Sequence, residues 1–76
     1  MRQKFTPEQL ESLFTLFNFR ELSEEVREAV RLVNNHGYTM ELTNVRRQTV
    51  SDAIDRLEQK KNQIIDIAKI FGMSKY

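Results

Sequence analysis

Polar and basic side chains cluster in the segment from Asn44 to Arg56, and their types match groups on a nucleic-acid duplex. The apolar residues of this stretch recur with helical spacing, at Val50, Ala53, Ile54 and Leu57. They would share one face of a helix, and the polar residues would occupy the other face. Arginine, glutamine, threonine and serine bond phosphate oxygens and base edges, so the segment indicates a helix that contacts double-stranded DNA.

The polar residues of this helix have chemically defined partners in the major groove. Gln48 matches the donor and acceptor of adenine, and Thr49 matches the methyl group of thymine. Asp52 matches the amino group of cytosine, or it holds an arginine in place. We predict these DNA-binding residues: Arg46, Arg47, Gln48, Thr49, Ser51, Asp52 and Arg56. Lys60 and Lys61 are predicted to add phosphate contacts. The alternative is an ordinary exposed helix, but recognition helices enter the groove by the N-terminal end, where these residues cluster.

Charge is distributed unevenly along the chain. The 76 residues carry a net charge of +1, which alone neither favours nor excludes a polyanionic partner. Residues 1–45 hold five basic and seven acidic side chains, whereas residues 46–76 hold seven basic and four acidic ones. The basic excess therefore lies in the same half as the predicted DNA-binding residues.

Catalytic and metal-binding constellations are not evident. The chain has no cysteine and one histidine, His36, which stands beside Gly37 at a predicted helix end without partners at ligand spacing. Glu21, Glu24, Glu25 and Glu28 surround a predicted helix start, where the helix dipole favours negative charge. We expect no enzymatic activity, metal, cofactor or small-molecule substrate. No apolar run approaches the ~18 residues of a membrane span, and the first residues lack a signal-peptide pattern. A cytoplasmic protein without a membrane partner is expected.

Helices must position the polar segment, because two glycines and one proline leave little room for hairpins. Thr6, Pro7 and Gln9 form a capping box, which predicts a first helix from about Pro7 to Phe17. Ser23 predicts the N-cap of a second helix. Its apolar stripe comprises Val26, Ala29, Val30 and Val33.

The second helix is predicted to end at Gly37, because glycine readily adopts the left-handed conformation of a helix C-terminus. Thr39 predicts a short third helix through Leu42. Asn44 predicts a turn in the left-handed conformation.

From Arg46 the helical pattern continues for about 25 residues. Apolar residues repeat every seven positions, at Val50, Leu57, Ile64 and Phe71. The preceding helices are predicted to be too short to cover this whole stripe, so a second copy of the chain is expected to cover its C-terminal part. The predicted dimerisation residues are Leu57, Ile64, Ile67 and Phe71. Gly72 predicts the end of the helix, and the five phenylalanines are expected mostly in the core.

Three segments carry a family resemblance, at residues 5–10, 31–37 and 45–57, the last with the pattern Val-Ser-x-Ala-x-x-Arg-Leu. Over residues 5–58 the chain resembles small plasmid-encoded transcriptional repressors of the KorA/TrfB type, and fimbrial regulators of the PapB type share the layout. The resemblance implies an all-helical dimer that binds a palindromic operator and represses transcription. The DNA contacts that it implies are Arg46, Arg47, Gln48, Ser51 and Arg56.

We therefore predict one all-α domain over residues 1–76, with a helix-turn-helix motif at about 38–57 and a long C-terminal helix that dimerises over about 58–71. The predicted function is a sequence-specific, double-stranded DNA-binding transcriptional repressor of a plasmid or phage. The alternative is a helical protein–protein interaction module, such as an adaptor or an inhibitor of a host factor, which would use the apolar seam as a docking face.

Overall fold

The computed structural model describes residues 4–72 and consists of three α-helices. Helix α1 spans Pro7–Phe14, α2 spans Glu24–His36 and α3 spans Arg47–Ile70, with a 3-10 helix at Met40–Leu42 between α2 and α3. The described residues contain no strand, so the predicted all-α class and long C-terminal helix are confirmed. The outer limits of the predicted domain, residues 1 and 76, lie outside the described part of the chain.

The predicted capping signals are present at the first helices. The Gln9 N–H donates to the Thr6 hydroxyl at 3.1 Å, and the Thr6 N–H donates to the Gln9 side-chain oxygen at 3.1 Å. The Ser23 hydroxyl accepts from the Val26 N–H at 3.3 Å and begins α2. Gly37 follows α2 with a φ of 70°, a left-handed conformation that glycine adopts without steric cost.

Helix α1 ends at Phe14, so the predicted end at Phe17 is wrong. The chain tightens after Phe14, where the N–H groups of Leu16 and Phe17 donate to carbonyls three residues earlier. The Thr15 hydroxyl also donates to the Ser12 carbonyl at 2.6 Å. These local bonds replace the α-helical ladder and turn the chain toward α2.

The left-handed turn predicted at Asn44 is also wrong. Within residues 4–72, the residues with positive φ are Gly37 and Gly72, the second of which follows α3 as predicted. The turn before α3 is held by the Thr43 hydroxyl instead. This hydroxyl lies 2.9 Å from the Met40 carbonyl oxygen and accepts a hydrogen bond from the Val45 N–H at 3.4 Å.

The hydrophobic core lies where α1, α2 and α3 pack together. Its buried residues are Phe5, Leu10, Leu13, Phe14, Leu22, Ala29, Val30, Val33, Val50, Ala53, Ile54 and Leu57. The predicted apolar stripe of α3 therefore faces this core, and Val26 of the α2 stripe packs against it half-buried. Leu57 is 0% exposed within a single protomer, so its predicted place in a dimer surface is wrong.

The rest of the domain covers α3 only until shortly after Leu57. The ammonium groups of Lys60 and Lys61 lie 5.6 and 5.5 Å from the ring centres of Phe17 and Phe5, where the body of the domain ends. Beyond them the large apolar side chains are 41–79% exposed: Ile64, Ile65, Ile67, Ile70 and Phe71. We call these five residues the apolar end of α3. No helix within residues 4–72 is long and apolar enough to cross a membrane.

The expectation for the phenylalanines holds in part. Phe5 and Phe14 are buried, and Phe17 packs against the core. Phe19 and Phe71 are 64% and 75% exposed, so a core position for these two is wrong. Phe19 lies in the connection between α1 and α2, and Phe71 lies beyond the part of α3 that other helices cover.

Two buried polar side chains hold non-helical segments of the chain against α2. The Asn34 Oδ1 accepts from the backbone N–H groups of Lys4 and Phe5 at 3.2 and 3.1 Å, and its Nδ2 donates to the Phe5 carbonyl at 2.9 Å. The Arg27 guanidinium donates to the carbonyls of Leu22 and Phe17, each at 2.8 Å. Asn34 thus fixes the N-terminal segment on α2, and Arg27 fixes the connection between α1 and α2.

Arg31 joins α1 to α2 at the surface. Its guanidinium donates two hydrogen bonds to the Glu11 carboxylate at 2.9 and 3.1 Å, the bidentate geometry that gives a strong charge-assisted pair. It also lies 3.0 Å from a Glu24 oxygen and 3.3 Å from a Glu28 oxygen. The hydrogen bonds from Arg31 hold the pKa of the Glu11 carboxyl below its usual value.

Candidate nucleic-acid interface

The predicted DNA-binding residues lie on the first turns of α3 and on its N-cap. Six of them are exposed, and Ser51 is half-buried. The opposite face of the same turns is buried, with Val50 fully enclosed and Ala53 and Ile54 in the core. The polar side chains therefore stand on a helix whose position and rotation are fixed by packing, as a recognition surface requires.

Basic side chains stand at the N-terminus of α3. Arg46 occupies the N-cap position, Arg47 follows it, and the first turn contains no acidic residue. No side chain caps these N–H groups within the described structure. Uncapped N–H groups, the helix dipole and two guanidinium groups together favour an anion such as a DNA phosphate.

The seven predicted residues do not share one face. Thr49, Asp52 and Arg56 line a groove against Leu22 and Val26 at the start of α2. Ser51 lines a different cavity, together with Phe5, Met40 and Asp55. At 3.6 residues per turn, Thr49 and Ser51 point roughly 160° apart around the helix. A ligand that docks on the Thr49 side would therefore reach Ser51 only at its margin.

Four of the candidate side chains have partners within the protein. The Gln48 Nε2 donates to the Asp52 Oδ1 at 2.9 Å. The Arg47 guanidinium lies 3.4 Å from a Glu41 carboxylate oxygen of the 3-10 helix. Arg56 makes a longer contact, 3.4 Å, to the carbonyl oxygen of Glu21. Asp52 thus accepts from a glutamine, and the predicted pairing with an arginine is not the one observed.

Negative charge borders the candidate interface. Asp52 and Asp55 are exposed in the middle of α3. The glutamates at the start of α2, including Glu25, line a groove that also contains Asn44 and Val45 of the turn before α3. Carboxylates repel phosphates, and the α2 glutamates lie beside the turn that leads into α3, so a duplex at the N-terminal end of α3 meets this repulsion as well as the attraction of Arg46 and Arg47.

The predicted dimerisation residues divide between the core and the surface. Ile64, Ile67 and Phe71 belong to the exposed apolar end of α3, whereas Leu57 belongs to the core. Sequence reasoning missed Ile65 and Ile70, which are 41% and 79% exposed and lie off the seven-residue repeat. A scan for apolar residues at any helical position beyond Lys61 would have found both.

Among residues 4–72, no group of three or more histidine, aspartate or glutamate side chains is arranged to hold a metal ion. Comparisons of the chain with protein-family models, curated proteins and solved structures found no match. The resemblance to KorA/TrfB-type and PapB-type regulators therefore rests on the residues quoted for it.

Proposed function

We propose that the protein is a sequence-specific, double-stranded DNA-binding repressor of transcription, which acts in the cytoplasm as a homodimer on a palindromic operator. The observation that carries this proposal is the exposed polar and basic cluster at the uncapped N-terminus of α3. Its helix is anchored by buried Val50 and Leu57, so the cluster is presented without a cost for ordering the helix on binding.

Each part of the cluster has a separate task in this proposal. Arg46 and the first N–H groups of α3 hold a phosphate and set the register of the helix on the duplex. Arg47 and Gln48, which are exposed, reach guanine and adenine edges. Arg56 lies about 13 Å further along the helix axis and contacts the backbone across the groove.

Self-association through the apolar end of α3 accounts for the exposed isoleucines. Contiguous apolar patches of this kind on a small domain usually mark an interaction site. Arg47 lies about 30 Å from Ile67 along α3, so two helices that meet at this end separate their N-termini by at most about 60 Å. A crossing angle of roughly 70° would bring that separation to one helical turn of DNA, about 34 Å.

Selection from a random duplex library tests the proposal. The purified protein is incubated with the library at moderate salt, and the retained DNA is sequenced. We expect an enriched palindrome, and we expect the double variant Arg46→Ala, Arg47→Ala to lose most retention. Arg20→Ala removes one positive charge from the connection between α1 and α2, and it serves as the control for each single variant, Arg46→Ala and Arg47→Ala. Retention without a motif would indicate backbone-dominated binding and contradict sequence specificity. No retention would reject the proposal.

The apolar end of α3 also favours a second function, a helical protein–protein interaction module that docks a partner on this face. A partner helix would lay apolar anchors against Ile64, Ile67 and Phe71. Sedimentation equilibrium separates the two functions. A stable monomer that retains no DNA would support the interaction module, whereas a dimer that retains a palindrome would exclude it as the principal role.

A further inference from the structure

The hydrogen bond between Gln48 and Asp52 constrains how the glutamine meets a base. The two residues are four positions apart and so lie on one face of α3. The Gln48 Nε2 donates one of its two hydrogens to the Asp52 Oδ1 at 2.9 Å. The other Nε2 hydrogen and the Oε1 acceptor remain available, because the Asp52 carboxylate can accept and cannot donate.

The two groups left on Gln48 are the ones that adenine requires. In the major groove adenine presents N7 as an acceptor and the N6 amino group as a donor. A glutamine reads both by donating from Nε2 and accepting at Oε1, which demands one orientation of the amide. Asp52 selects that orientation, because turning the amide over would place Oε1 against a carboxylate oxygen.

We propose that Asp52 is a positioning residue, which orients the Gln48 amide toward one adenine in each half-site and does not itself read cytosine. This inference rests on the proposed DNA-binding function. Asp52 lies about 6 Å further from the N-terminal end of α3 than Gln48, and one of its oxygens is already engaged. Both facts favour positioning over direct contact with a base.

Asp55 provides a matched control for the negative charge. It is also exposed on α3, three residues beyond Asp52, but it lines the cavity that contains Lys4 and Ser51. Asp55→Ala therefore removes one carboxylate from the same helix without removing the partner of Gln48. Asp52→Glu is the conservative variant, because its carboxylate can still accept the hydrogen bond and cannot donate one.

Base preferences of these variants in the random duplex library test the inference. Gln48→Ala should lose the preference for adenine at one position of the half-site. Asp52→Ala should weaken the preference at that same position about 1.5- to 2.5-fold. This factor is the change in an equilibrium constant that corresponds to one surface side-chain pair four residues apart on a helix. Asp52→Glu should restore it, and Asp55→Ala should change overall retention only. A changed preference at a cytosine, or an unchanged preference at the adenine, would overturn the positioning role.

Nuclear magnetic resonance of the protein without DNA separates this inference from the proposed function. The side-chain amide protons of Gln48 should shift in Asp52→Ala and keep their positions in Asp55→Ala. An absence of any shift would refute the pairing itself, whatever the library shows. A shift together with a wild-type protein that retains no motif would refute the proposed function and, with it, the reading of adenine.

Discussion

Replacing Leu57 with alanine tests where the core of the protomer ends along α3. Leu57 and Ile64 are both apolar residues of the same seven-residue repeat. Leu57 is 0% exposed, whereas Ile64 is 44% exposed. The structure thus places Leu57 in the core of the single chain and leaves Ile64 partly exposed.

The two substitutions should differ in magnitude. A buried leucine replaced by alanine loses about 2–5 kcal/mol, from lost transfer free energy and from the cavity. At about 0.05–0.15 kcal/mol per residue, the free energy of unfolding of a domain this size is about 4–11 kcal/mol. Leu57→Ala should therefore remove a large fraction of it. Ile64→Ala should cost under about 1.5 kcal/mol in the monomer, because only part of the side chain is buried.

Urea unfolding followed by circular dichroism, at a low and a high protein concentration, measures both effects. The loss in Leu57→Ala should be the same at both concentrations. The loss in Ile64→Ala should grow with concentration, because the proposed association would stabilise the wild type more than the variant. A loss below about 1 kcal/mol for Leu57→Ala, or one that depends on protein concentration, would refute the division of α3 between core and interface.

Further variants test the contacts around α2. Asn34→Ala leaves the backbone groups of Phe5 without their partner and should cost about 1–3 kcal/mol in urea unfolding, with the exposed Asn62→Ala as a neutral control. Gly37→Ala should lower the free energy of unfolding by about 1–2 kcal/mol, because alanine is strained at a φ of 70°; an unchanged midpoint would contradict this. Glu11→Gln should flatten the pH dependence of stability below about pH 4.5. The lowered pKa of Glu11 adds stability above its unfolded-state pKa, and this is lost as pH falls through the folded-state pKa. Since the Glu11 side chain is half exposed, the effect should stay under about 1 kcal/mol, and parallel curves for variant and wild type would refute it.

The sequence alone determined the helices and their beginnings, because the signals for them are local. Thr6 with Gln9, and Ser23, bond backbone groups within one turn, so their positions can be recognised without knowing what packs above them. The apolar spacing of α3 likewise identified Val50 and Ile54 as a buried face.

The candidate interface was predictable in composition and less so in geometry. Helical spacing placed Gln48 and Asp52 on one face, from which their hydrogen bond could have been inferred. The approach of the α2 glutamates to the turn around Asn44 could not be inferred from the sequence, because it depends on how α2 packs beside α3.

Only the tertiary structure decided which similar residues are buried and which are free. The sequence pattern treats Leu57 and Ile64 alike, but α1, α2 and the N-terminal segment extend far enough to cover the first and not the second. Asn34 and Arg27 have no local signal for burial, since their partners lie at Phe5 and in the connection between α1 and α2. The physical reason is that helix formation depends on bonds within a few residues, whereas burial depends on segments brought together from distant parts of the chain.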